Sequence, residues 1–437
     1  MMTQVAQAYQ PFTRNNIHTL PQFQRLDAET QHLIRVTSAV FPFRTNRYVA
    51  DELIDWENVP RDPIYQLTFP QRGMLNDADF RKVSHLIETG ASRQQMQDTV
   101  HAIRLRHNPH PAGQMEYNVP RLDGEMLNGI QHKYDETVLF FPSRGQTCHA
   151  YCSYCFRWPQ FVHMDDLKFA AKEADGLVRY LRLHTEVTDV LLTGGDPMIM
   201  TAKALETYIL PLLTPELAHI QTIRIGTKAV AYWPQRFVSD PDADDLLRLF
   251  EAIRASGRHV AIMAHYSHHR EMSTPIAQEA VRRLRNAGCE IRTQAPLMRH
   301  INNRAEVWAN IWQNAVTMGM IPYYMFVSRD TGPKRYFEVP LVEALRIFRQ
   351  AYTQVSGLGR TVRGPVMSAT PGKVHIQGTA HVAGEKAFVL SFLQGRDPDW
   401  AGRPFFARFD PEATWFTDLR PLADKPHFFY KAETISA

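Results

Sequence analysis

TVLFFP, residues Thr137–Pro142, is where the chain changes texture. Ahead of it lie helical patterns broken by proline-rich joints; behind it, short apolar runs alternate with helices. The run itself reads as a buried strand. Outward from it the pattern predicts a helix over Leu167–His184, a strand over Val187–Thr193 (VTDVLLT) and a helix over Ala202–Leu213. Strand Thr222–Thr227 (TIRIGT) and helix Ala243–Ser256 follow, then strand His259–His265 (HVAIMAH) and helix Pro275–Ala287. Strand Cys289–Thr293, helix Ala305–Met318, strand Ile321–Val327 (IPYYMFV) and helix Leu341–Thr353 complete the series. Parallel strands need a crossover long enough to hold a helix, so this alternation marks parallel βα units and the α/β class. Six such units fall short of the eight in a closed barrel, so an open, partial parallel barrel fits the count, with a doubly wound sheet as the competitor. In either, the ligand site belongs at the carboxyl ends of the strands.

Residues 1–130 are expected to form a mostly helical extension, with helices over Leu75–Thr89 and Arg93–Arg106 and a connector at Asn58–Pro63. Residues 131–375 form the partial barrel. Residues 376–437 read as a short mixed tail, strand-like at Lys386–Phe392 and rich in proline and aromatics at its end. The 437 residues are 44% hydrophobic and 22% charged, which excludes a disordered or collagen-like chain. Lys plus Arg outnumber Asp plus Glu by 49 to 45, too small an excess to imply a nucleic-acid partner. Met1–Arg14 has neither the basic nor the apolar region of a signal peptide, and no apolar run is long enough to span a bilayer. The expectation is a cytoplasmic protein with no membrane partner, whose thiols stay reduced and free to act as ligands.

Three of the four cysteines fall in Cys148-x3-Cys152-x2-Cys155, in the loop just after TVLFFP, where a barrel places its chemistry. Three thiolates cannot complete a tetrahedral zinc site, so a fourth ligand such as His149, His163 or Cys289 would be needed. A [4Fe–4S] cluster normally takes four cysteines; held by three, it keeps one iron open for a cofactor or substrate. Both readings stand on spacing alone.

CHAYCSYCFR (Cys148–Arg157) resembles the CxxxCxxC motif of radical S-adenosylmethionine (SAM) enzymes, including the aromatic Tyr154 before the last cysteine. LLTGGDP (Leu191–Pro197), IRIGT (Ile223–Thr227), TQAPLMRHINN (Thr293–Asn303), PYYMF (Pro322–Phe326) and PGK (Pro371–Lys373) resemble, in the same order, landmarks of the lysine 2,3-aminomutase family. The resemblance covers about residues 110 to 380 and itself implies a six-unit partial barrel. It implies that Cys148, Cys152 and Cys155 hold three irons of a [4Fe–4S] cluster, while SAM chelates the fourth and is cleaved by one electron to methionine and a 5′-deoxyadenosyl radical. That electron would come from a donor such as flavodoxin or ferredoxin. Tyr154, Gly194, Gly195, Asp196, Arg224 and Gln294 match positions that contact SAM, although a strand-end turn and polar strand caps would account for the last five equally. Lys373 matches the lysine that holds pyridoxal 5′-phosphate (PLP) as a Schiff base. The family often has a longer glycine run before that lysine, whereas only Gly372 precedes it here.

For the substrate, the resemblance implies a small amino acid whose carboxylate pairs with Arg157. Lysine-acting members bind the distal ammonium with two aspartates. At those positions this chain has Arg329, one residue before Asp330, and Ser368. An arginine there repels an ammonium, so an acidic or neutral amino acid such as glutamate is expected in place of plain lysine. The expected enzyme is an isomerase, a PLP-dependent aminomutase. Lysine 2,3-aminomutase proper, a PLP-independent radical SAM enzyme, modification of a lysine on a protein and a non-catalytic iron–sulfur or zinc protein are the alternatives. His265, His268 and His269, with Arg270, form a patch that more often lines a polar pocket than binds metal. The tail lacks the cysteines that hold an intersubunit zinc in lysine-type members, so any homo-oligomer forms without that metal.

Overall fold

Ile223 and Ile225 are buried while Thr222, Arg224 and Gly226 face the other way, the alternation of a strand with one face in the core. The computed structural model describes residues 8–108, 118–162, 169–422 and 426–431. His163, one candidate zinc ligand, lies outside the described residues. The chain divides into two compact units: Met1–Tyr266, Arg270–Ile291 and Thr331–Tyr336 form the first, and Ser267–His269, Arg292–Asp330 and Phe337–Ala437 the second.

In the first unit, β1 (Ile130–Tyr134) pairs antiparallel with β2 (Thr137–Phe140). β2, β3 (Asp189–Leu192), β4 (Thr222–Thr227) and β5 (His259–His265) then run parallel, with Thr137, Asp189, Thr222 and His259 in register. Helices Asp175–Leu183, Ala202–Ile209, Ala243–Ala255 and Pro275–Asn286 connect or follow them, burying Leu177, Leu205, Phe250 and Leu284. The expected helix start at Leu167 lies outside the described residues; the first helix begins at Asp175, and Ala171 ahead of it pairs with Phe141 and Ser143 through its backbone. The N-terminal segment includes helices Asp77–Glu88 and Arg93–His107, the latter opened by a Ser92–Gln95 capping box. Half-buried Arg104 donates to the carbonyls of Ala39 and Val40, at the end of helix Ala28–Val40, and to Val162 beyond the cysteines.

The second unit holds most of β6 (Glu290–Leu297), then β7 (Ile321–Val327) and β8 (Arg363–Ser368), all parallel. β9 (Gly372–Val382), β10 (Glu385–Gly395) and β11 (Pro404–Arg408) continue antiparallel. Two features depart from the sequence reading. β8 is an additional parallel strand, hidden because Gly364-Pro365 inside it reads as a break. Residue 375 is no boundary, because β9 runs through it into the segment read as a tail. Register shifts after Lys373 and Ile376 disturb the two-residue period by which that strand would have been recognised.

The α/β class therefore holds, and the strands of neither unit close on themselves. Among the described residues no helix is long and apolar enough to cross a membrane. The second unit's core gathers Leu341 and Leu345 with Val374, Ile376, Phe388, Leu390 and Phe392. Phe392 is fully buried, with ring centroids 5.3 Å from Phe405 and 5.5 Å from Tyr430. Phe392→Ala should cost about 3–5 kcal/mol, read as a lower urea midpoint for the unfolding of this unit; an unchanged midpoint would contradict that packing.

Candidate active site

The segment from Cys148 to Cys155 is a loop, and its own backbone supplies little more than the Cys155 N–H donating to the Cys152 carbonyl. The N-terminal segment satisfies much of the remainder. Tyr151 N–H donates to the Arg44 carbonyl at 2.8 Å, and Ser153 N–H to the Leu67 carbonyl at 2.9 Å. The Ser153 hydroxyl donates to the Gln66 carbonyl. Arg44 donates to Thr147 Oγ1 and to the Cys148 carbonyl. Tyr9 Oη at 2.8 Å and Asn46 Nδ2 at 3.2 Å donate to the His149 carbonyl. Leaving a buried polar group unpaired costs about 1–3 kcal/mol, so these contacts decide the loop's conformation. Sequence reasoning missed Tyr9, Arg44 and Asn46 because each lies about a hundred residues or more from its partner.

The three thiols are half-buried. Burial pushes all three pKa values up, Cys155 to about 12 and Cys148 well above the usual range; Asp196 and the other two thiols add to the rise at Cys148, and Cys152 to that at Cys155. Metal binding at this loop is therefore coupled to proton release. The His149 ring packs against Tyr9 and Trp233, and burial lowers its pKa to about 3, which keeps it neutral. Cys289 is buried at the start of β6. Among the described residues no three His, Cys, Asp or Glu side chains group as a single metal ion needs.

Gly194-Gly195-Asp196 follows β3 and packs against the entry to this loop. A Cβ on Gly195 would lie 2.4 Å from the Thr147 nitrogen, and one on Gly194, at φ +146°, 2.3 Å from Gln146 Nε2. The buried Asp196 carboxylate accepts from Thr227 Oγ1 at 2.6 Å, Lys228 N–H at 2.8 Å and Met198 N–H at 2.9 Å, joining the ends of β3 and β4. Burial still raises its pKa against those bonds. Arg224 pairs with Asp189 at 2.8 Å. Arg157 donates to Gln160 and lies 4.3 Å over the Phe141 ring. Half-buried Tyr154 stays on the cysteine loop.

In the second unit, Lys373 lies on β9 directly opposite Ser368 of β8 and Gln394 of β10. Its Nζ donates to Gln394 Oε1 and sits 5.3 Å over the Tyr324 ring. Gln294 of β6 faces Tyr324 in register, which brings these positions to one patch of strands. Gly372 is needed because a Cβ there would lie 2.2 Å from the Gln394 carbonyl oxygen, so the lysine is presented by a strand. Half-buried Arg329 stands two residues past β7; burial lowers its pKa while Asp330 pulls it back. The histidine patch splits by role. His265 is held neutral by burial, Arg270 pairs with Asp62, and His268 stacks on His269 at 4.2 Å.

No family model matches the chain. A relative from Aquifex aeolicus described as "Putative L-lysine 2,3-aminomutase" is 30% identical over 397 residues, 91% of this chain and 92% of its own length. The chain belongs to the lysine 2,3-aminomutase family of radical SAM enzymes. L-lysine 2,3-aminomutase from Bacillus subtilis is 27% identical over 69% of this chain and 66% of its own. A radical SAM methyltransferase structure from Sphaerobacter thermophilus overlaps 57% of this chain and 69% of its own at 14% identity, with a TM-score of 0.37. The lysine 2,3-aminomutase family implies a [4Fe–4S] cluster and SAM, and the donor set fits the cluster: three thiols on one half-exposed loop at a strand's carboxyl end.

Because the Gly195 contact is with backbone, a side chain there cannot be accommodated by a rotamer change. Gly195→Ala should leave the circular dichroism intact yet lose most of the iron bound on anaerobic reconstitution. Wild-type iron content would contradict the packing role.

Proposed function

We propose that this chain is a PLP-dependent amino acid 2,3-aminomutase, an isomerase that moves an amino group between adjacent carbons, with a substrate other than plain lysine. Arg329 carries the substrate reading: it is a half-buried guanidinium just past β7, at the position the resemblance matches to an acid in lysine-acting members. It suits an acidic side chain, as in glutamate, or a neutral one. In this reading Cys148, Cys152 and Cys155 hold the cluster, and Tyr154, the Gly194–Asp196 turn, Arg224 and Gln294 position SAM. Arg157 pairs with the substrate carboxylate, Ser368 borders the side-chain pocket, and Lys373 holds PLP. When bound, SAM on the open iron would supply the hydrogen-abstracting group, and PLP would carry the migrating nitrogen and spread the unpaired electron. The protein's own share is placement and exclusion of water. We also read the βα units as the family's partial barrel, and the reductant as a flavodoxin or ferredoxin.

The half-buried Lys373 amine, hydrogen-bonded to a neutral amide, fits a PLP-holding role. Its strand setting supports the PLP-independent alternative to the extent that family loops are glycine-rich. A second substrate reading, lysine itself, is favoured by the relatives' names and by Asp330 next to Arg329.

Two experiments separate these. Reconstituted enzyme given glutamate and lysine, with mass detection of β-amino products, should convert glutamate faster. Arg329→Asp should cut kcat/KM for the acidic substrate by about 30-fold or more, the loss expected when one partner of a buried charge pair is reversed. Fast conversion of lysine to β-lysine by the wild type would sink the substrate assignment. Separately, Lys373→Ala should fail to retain PLP absorbance after desalting; retention would remove Lys373 from its role.

A further inference from the structure

The family motif does not account for a buried group on the far side of the cysteine loop. β4 ends at Thr227, and a short helix, Ala229–Tyr232, follows it. Tyr232 is 1% exposed, and its hydroxyl lies 3.4 Å from Cys152 Sγ, within hydrogen-bond reach of sulfur. The contact is built from both sides. Asn46 Nδ2 donates to the carbonyls of Tyr232, at 2.9 Å, and of His149, so one buried amide sets helix and loop at a fixed distance. Asp196, by accepting from the Lys228 N–H, fixes the start of the helix.

Behind the ring is a buried charge. Lys228 Nζ lies 4.6 Å over the Tyr232 ring, pairs with the fully buried Glu271 at 2.7 Å and donates to the His265 carbonyl. A cation over a phenol ring is attracted to its face, which holds the ring in place. Burying an ion pair is expensive.

We propose that the Tyr232 hydroxyl, backed by Lys228 and Glu271, donates a hydrogen bond to the Cys152 sulfur and so raises the reduction potential of the bound cluster. A thiolate ligand offers only acceptor sites, so Tyr232 is the donor once iron is bound. Hydrogen bonds to ligand sulfurs offset the extra negative charge of the reduced state and are a recognised control of cluster potential. Tyr232 is a positioning residue in this role: it acts through the Cys152 sulfur. The inference rests on the reading that Cys148, Cys152 and Cys155 hold the cluster.

The test uses full-length, anaerobically reconstituted protein without SAM or amino acid, in a dye-mediated redox titration followed by electron paramagnetic resonance (EPR) of the reduced cluster. Tyr232→Phe should retain iron and sulfide and shift the midpoint to more negative potential. A chain with 3-fluorotyrosine at 232, a stronger donor of nearly unchanged shape, should shift it the opposite way. Equal midpoints in loaded proteins would overturn the proposal, as would shifts of one sign in both, which report packing. Where Tyr232→Phe fails to load, the fluorinated chain decides. A wild type that assembles no cluster would overturn the thiol reading itself, and this inference with it.

Discussion

The loop from Cys148 to Cys155 is neither helix nor strand, so its backbone has to be satisfied from elsewhere. Here the partners come from the first 70 residues: the Arg44, Gln66 and Leu67 carbonyls accept from the loop, while Tyr9, Arg44 and Asn46 donate to it. The N-terminal segment is thereby more than a cover for the sheet. Its contacts with the Cys148–Ser153 stretch fix where the thiols stand, and a cluster site depends on that placement more than on any single ligand.

The strand ends carry the same constraint further. Asp196 spends its carboxylate on Thr227, Lys228 and Met198, while Gly194 and Gly195 bring their turn against Gln146 and Thr147. The glycines are required by steric approach to the cysteine loop whether or not SAM also touches them. One turn thus links the loop after β2, the end of β3 and the start of the helix after β4. This arrangement is the usual reason that parallel sheets place chemistry at their carboxyl ends: adjacent loops there can share polar partners.

Much of this was legible in the sequence, for identifiable reasons. Thr222–Thr227, His259–His265 and Ile321–Val327 are strands with the residue bounds that their apolar runs mark, because each is a short β-rich run between helices. The cysteine spacing is local, so the loop that carries the three thiols was legible as well. β8 was not, since Gly364-Pro365 disguises it, and neither was the full length of β9, whose register shifts break its period. Asn46 and Tyr232 were illegible for a different reason. Their partners are distant in sequence, and neither residue type signals a role until the fold sets it beside the loop.

The central claim is that three thiols, held by the N-terminal segment, support a cluster with one iron left open. Anaerobic reconstitution with iron and sulfide, followed by EPR of the reduced protein with and without SAM, tests it most directly. The account predicts about four irons and four sulfides per chain and a spectrum that changes when SAM is added, because SAM occupies the open iron. A single bound zinc, or a reduced cluster whose spectrum ignores SAM, would contradict it.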